Sequence, residues 1–242
     1  MIRLLAIFFL LAGGIALVQL LIDNQELGEQ IAQLESELGR MSIADSDRVY
    51  LVEIETPEVP PEVAPHLKRV WQFRCYAPPG YDVIRLCGGG RVTREGIYLD
   101  GGSGSGWGTP RTEPIHELVT ISFQELEDRL EVFYAFNGSA GTTSWGRFSP
   151  DQFNDSLVVQ QIVRSEQGPR SFDQDTILPL LKLYDPNSAK DRNVAGKIET
   201  TYDGGMFLLC PKSLESGLSQ LQRGEMPNEM NAIRIAKPVA ND

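Results

Sequence analysis

Residues 4–22 read LLAIFFLLAGGIALVQLLI, an apolar run broken only by Gly13, Gly14 and Gln19. As a helix rising about 1.5 Å per residue, the run covers roughly 28 Å, the thickness of a bilayer's hydrocarbon core. Such a segment has few other homes, and we read it as a transmembrane anchor. The rival is a cleavable signal peptide with Ala12 and Gly14 as the small-residue site. Apolar residues Ile15 to Ile22 continue past that point, and cleavage there would leave a hydrophobic new terminus. Charge sets the orientation. Arg3 precedes the run, and Asp23, Glu26 and Glu29 follow it with no Lys or Arg before Arg40. Positive residues stay on the cytoplasmic side. Residues 1–3 are then a cytoplasmic stub, and the bulk of the chain is periplasmic or extracellular.

A second period begins where the first ends. Asn24, Ile31 and Leu38 alternate with Leu27, Leu34 and Met41 at steps of three and four, which places them at the a and d positions of a heptad. The helix is expected to continue over residues 23–41 as a short coiled coil. Ile or Leu at a with Leu at d suits a parallel homodimer, and Asn24 at a would fix its register. Gly28 and Gly39 weaken the helix by about 1 kcal/mol each. The competing reading is an amphipathic helix packed on its own globular domain.

Beyond Met41 the pattern turns to strands. RVYLVEIE (48–55) reads as one strand within a linker, residues 42–68, that also carries the proline-rich TPEVPPEVAPH (56–66). Prolines fix φ and remove donors, so that piece favours extended polyproline geometry. Residues 69–242 then present about ten short apolar-alternating segments separated by turn residues. VWQFRCYA (70–77) and DVIRLC (82–87) look like a hairpin around Pro-Pro-Gly, and residues 116–126 and 128–138 like another. The expected class is mainly β, an antiparallel sandwich or barrel-like domain behind the anchor and the heptad helix. One short helix is expected near 211–224, where Leu214, Leu218 and Leu221 share a face, and DPNSAKDRNVAGK (185–197) reads as an exposed loop.

The three cysteines are Cys75, Cys87 and Cys210. In the first hairpin Cys75 and Cys87 would face each other within disulfide reach, which an extracytoplasmic location permits. Two buried thiols are the alternative, and Cys210 closes an apolar run and is expected buried. No CxxC spacing exists, so a zinc knuckle has no support.

Tests for chemistry return little. His116-Glu117 opens like HExxH, but Thr120 stands where the second His belongs, in a strand-like stretch rather than a helix. His66 is the only other histidine, so one chain cannot build a multi-His metal site. DGGSGSGWG (100–108) fits neither the dinucleotide, the P-loop nor the nucleophile-elbow pattern, and it reads as a flexible glycine loop. Its Trp107, with Tyr98 and Trp145, could line a ligand rim by stacking, although burial of Trp71 and Trp145 in the core is the plainer reading. Carboxylates are too many to select a glycosidase pair. Asp185-Pro186-Asn187 starts like a calcium loop without its later ligands.

The net charge is −11, with no Lys/Arg cluster, which excludes nucleic acid as an expected partner. No cofactor and no metal are indicated, and the chain is not read as an enzyme. The expected role is a membrane-anchored binding module at the cell envelope. Its partners would be the bilayer through 4–22, a second copy through 23–41, and an envelope protein or glycan. A structural assembly component and a carboxylate-dependent hydrolase are the alternatives.

Overall fold

A computed structural model of the chain describes residues 14, 17, 19, 41–55, 69–126, 130–136, 138–145, 157–194, 196–225 and 233–239, with backbone alone at 102–105, 107 and 125. Two compact units divide it, Met1–Ala44 and Asp45–Asp242. Of the first unit, Gly14, Leu17 and Gln19 are helical. The rest of the anchor, and the heptad positions Asn24, Leu27, Ile31, Leu34 and Leu38, lie outside the described residues, as does the proline-rich stretch 56–66. Among the described residues no helix is long and apolar enough to cross a membrane.

The second unit is mainly β and consists of two packed sheets, consistent with a sandwich rather than a barrel. The first sheet has the order β7-β6-β5-β2-β1-β9. Its strands are β1 (Val49–Glu53), β2 (Arg69–Ala77), β5 (Ile115–Glu125), β6 (Leu130–Phe136), β7 (Ser139–Trp145) and β9 (Arg170–Phe172). The second sheet has the order β13-β10-β12-β3-β4. It is built from β3 (Val83–Thr93), β4 (Leu99–Trp107), β10 (Thr176–Tyr184), β12 (Lys197–Pro211) and β13 (Arg234–Ile235). Two strands sit off that path: β8 (Val158–Gln161) pairs with β10, and β11 (Lys190–Val194) with β12. The pairs are antiparallel except β10 with β13. The strand the sequence assigns to a linker, β1, is hydrogen-bonded between β2 and β9.

Alternation explains the first sheet. Trp71, Phe73 and Cys75 of β2 and Val119, Ile121 and Phe123 of β5 all point into one core, while the residues between them are less buried. The second sheet is buried on both faces. Phe207 and Leu209 of β12 meet the first sheet, while Met206, Leu208 and Cys210 join a second cluster behind it. That is why GMFLLC is an uninterrupted apolar run and shows no alternation. The outer cluster is covered by α1 (Glu215–Gln222), whose Leu218 is buried with Leu214 and Leu221 beside it. Full burial of one such leucine stabilises by about 1.5–3 kcal/mol.

Several expectations are corrected. The hairpin of residues 70–77 with 82–87 does not form. The edges of β2 are taken by β1 and β5, and Pro78-Pro79 offers no N–H to continue a ladder, so the chain crosses to the other sheet. Gly80, at φ 76°, makes the turn. Cys75 and Cys87 therefore belong to opposing sheets, and all three cysteines are buried free thiols. The hairpin of β5 with β6 does form. The stretch 185–197 carries a short 3-10 turn (Pro186–Ser188) and β11. Asp185, read as the start of a calcium loop, instead accepts the Asn187 N–H at 2.8 Å and caps that turn.

The glycine stretch 100–108 is not a loop but β4, paired along its length with β3. Gly101 and Gly102 lie opposite Gly90 and Gly89, which in turn lie opposite Gly204 and Gly205 of β12. This glycine saddle receives Trp145 from β7 of the opposite sheet. A Cβ at Gly89 would stand 2.4 Å from Trp145 Cγ, and one at Gly205 2.6 Å from Trp145 Cη2. Trp145 is 1% exposed and packs its ring edge-on to Phe123 at 5.1 Å, so it belongs to the core and not to a ligand rim.

Candidate functional site

Among the described residues a developed concave surface is organised by the turn from β3 to β4. Thr93-Arg94-Glu95-Gly96 reverses the chain, with Gly96 at φ 72° supplying the left-handed residue. Thr93 Oγ1 donates to the Glu95 carbonyl and tightens the turn. From β10, Lys182 reaches beneath it. Its Nζ donates to the carbonyls of Gly96 at 2.8 Å, Thr93 at 3.1 Å and Arg94 at 3.2 Å. An ammonium has three donors, and all three are used. Lys182 is 3% exposed, and burial pushes its pKa down to about 8, against the pull of Glu95. It is the one charge in the apolar strand TILPLLKLY.

Register places Lys182 between Gln160 of β8 and Met206 of β12, and Tyr184 between Val158 and Gly204. A cleft of about 630 Å³ opens over this face, between the turn and the C-terminal segment 235–239. That segment is held by backbone bonds, Ala236 N–H to Ile177 O at 2.9 Å and Val239 N–H to Gln161 O at 2.8 Å. Arg234 pins its start to Asp173 at 2.5 Å. The β10–β12 register shifts between Leu178 and Leu181, around Pro179, which has no N–H for the ladder and lines the cleft. A second cleft of about 490 Å³ lies on the other flank of the turn, lined by Tyr98, Tyr202 and Lys197. Tyr184 and Tyr202, one in each cleft, approach at 4.9 Å between ring centroids. Burial raises the Tyr184 pKa, with Arg94 opposing.

Comparison with protein-family models, with curated proteins and with solved structures returns no match.

The three rim residues proposed from sequence separate. Tyr98 lines the second cleft, Trp145 is in the core, and the Trp107 side chain lies outside the described residues. The backbone of Trp107 pairs with Ile84. Several carboxylates are in ion pairs. Glu117 meets Arg111 at 3.1 Å, while Asp173 takes both Arg48 and Arg234. His116 sits on β5 with its ring 5.0 Å from that of Tyr76. Among the described residues no group of three or more His, Cys, Asp or Glu is placed to hold a metal ion. Sequence reasoning missed Arg94, Gln160 and Lys182. The available signal was Lys182 itself, because a lone charge inside an apolar strand must find partners.

Proposed function

We propose that the second unit is a binding module displayed at the cell envelope, tethered by residues 4–22 and paired with a second copy through 23–41. The observation that carries the binding role is the pair of clefts flanking the Arg94–Gly96 turn. The larger, at about 630 Å³, lies within the range of small-molecule sites, roughly 300–1,000 Å³. Lys182 acts as a buttress there and not as a nucleophile. Its proton donors are all engaged by backbone carbonyls, and releasing it would leave three acceptors bare.

The test uses the full-length chain in its native membrane, with a photo-crosslinking residue in place of Glu95 or, separately, of Leu118 on the outer face of the first sheet. Adducts with envelope components are expected from position 95 and not from 118. Adducts from 118 alone, or from neither, would overturn the cleft as the binding face. Protease added from outside should cut residues 45–242. Protection of that unit in intact cells would overturn the outward display.

A further inference from the structure

The charge around the larger cleft runs against the charge of the chain. The protein carries −11, yet among the described residues this cleft is lined by Arg94, Lys182 and Lys237 with Glu95 as the one carboxylate. Arg94 and Lys237 are exposed, and among the described residues neither is in an ion pair. Beside them the side-chain oxygen of Gln160 is buried and accepts no hydrogen bond. A cavity with two uncommitted cations and one orphan acceptor is complementary to a ligand that is anionic and also carries a donor.

An extended peptide is the poorer fit. The edge of β10 that borders the cleft is already covered by β8 over Leu181–Tyr184 and by β13 over Thr176–Ile177, so β10 offers a peptide only a short edge for pairing. A compact ligand needs no such edge. We propose that this cleft binds a carboxylate with a neighbouring hydroxyl, either a free hydroxy acid or the acidic sugar residue of a glycan. Its carboxylate lies between Arg94 and Lys237, and its hydroxyl donates to Gln160. Tyr184 supplies the flat wall. Lys182 positions the turn that carries Arg94, and Glu95 disfavours more highly charged anions.

This inference rests on the binding role proposed above, and its test separates the two. The full-length chain in mild detergent is titrated by calorimetry with glucuronate, lactate, glucose and inorganic phosphate. Glucuronate is expected to bind, more weakly as salt rises, and glucose, its neutral counterpart, is not. Lactate binding as well as glucuronate assigns the site to hydroxy acids, and glucuronate alone assigns it to acidic sugars. Arg94→Gln and Lys237→Gln should each weaken glucuronate by about tenfold or more, while Lys212→Gln, outside the cleft, should not. Equal binding of glucose and glucuronate, preference for phosphate, unchanged affinity in both cleft variants, or no binding of any carboxylate would overturn the assignment. Should the carboxylates fail while crosslinks from position 95 persist, the ligand class falls and the binding face stands.

Discussion

Replacing Lys182 with Met isolates the energetic role of the buried ammonium. Methionine keeps the length and flexibility of the side chain but cannot titrate or donate. Burial lowers the Lys182 pKa from 10.5 to about 8. Between those values the unfolded chain binds the proton that the folded chain has released. Stability from this group therefore rises as pH climbs from about 8 to 10.5. Each unit is worth about 1.4 kcal/mol, so the full swing is about 3 kcal/mol, with about 2 kcal/mol of it between pH 7 and 9.5. The variant has no such swing. It loses stability at every pH because the carbonyls of Thr93, Arg94 and Gly96 lose their donor. Buried thiols and tyrosines also titrate in alkali, but they do so in both proteins and cancel in the difference. Urea unfolding of both proteins at about pH 7 and about pH 9.5 should show the stability gap widening by about 2 kcal/mol at the higher pH. A gap that stays constant or narrows would refute the reading of Lys182 as a desolvated, titrating cation.

Gly89→Ala and Gly205→Ala should each destabilise by about 1–3 kcal/mol in thermal or urea unfolding, because the added methyl meets the Trp145 ring at under 3 Å. The Gly89 effect should shrink in a Trp145→Ala background, and an undiminished effect would show that the ring is not the obstacle. The thiols of Cys75, Cys87 and Cys210, each pushed up to about 12 mainly by burial, should resist alkylation in the folded protein and react fully in denaturant. Their contribution to stability is present below about pH 9 and lost as pH rises toward 12; alkylation of any of them under native conditions at neutral pH would contradict this burial. The full-length chain should crosslink as a dimer that Leu27→Ala with Leu34→Ala abolishes, and an unchanged dimer would remove the heptad seam as its interface.

Strand content was legible because period-two alternation in β2, β5 and β6 follows directly from one wet and one dry face. The helix at 215–222 was legible for the matching reason, with Leu214, Leu218 and Leu221 at helical spacing. The partnering of strands was not. Cys75 and Cys87 flank a turn symmetrically in sequence, but whether a Pro-Pro-Gly link closes a hairpin or crosses between sheets depends on which edges are already occupied. Glycine misled for a similar reason. Glycines score as loop because they lack a side chain to pack, and in β3, β4 and β12 that lack is what admits Trp145. Neither local propensity nor spacing encodes the ring that arrives from a strand about fifty residues away.

The buried cations follow one rule that also places the cleft. Arg85 donates to the carbonyls of Phe136 and Ser139 and ties the β6–β7 turn to the second sheet. Arg91 donates to the carbonyls of Ser188 and Thr201, with Asp203 as its carboxylate at 2.8 Å. Lys182 holds the β3–β4 turn by three carbonyls and no carboxylate. The β6–β7 and β3–β4 turns each present several backbone acceptors in one place, and a buried cation satisfies them together at the cost of its own desolvation. Two of the three need no acidic partner inside. In Lys182 this leaves a cation without a carboxylate beside the locally basic cleft of a chain that is acidic overall. The way the fold fastens its β3–β4 turn thus contributes one cation to that cleft, and the exposed Arg94 and Lys237 add two more.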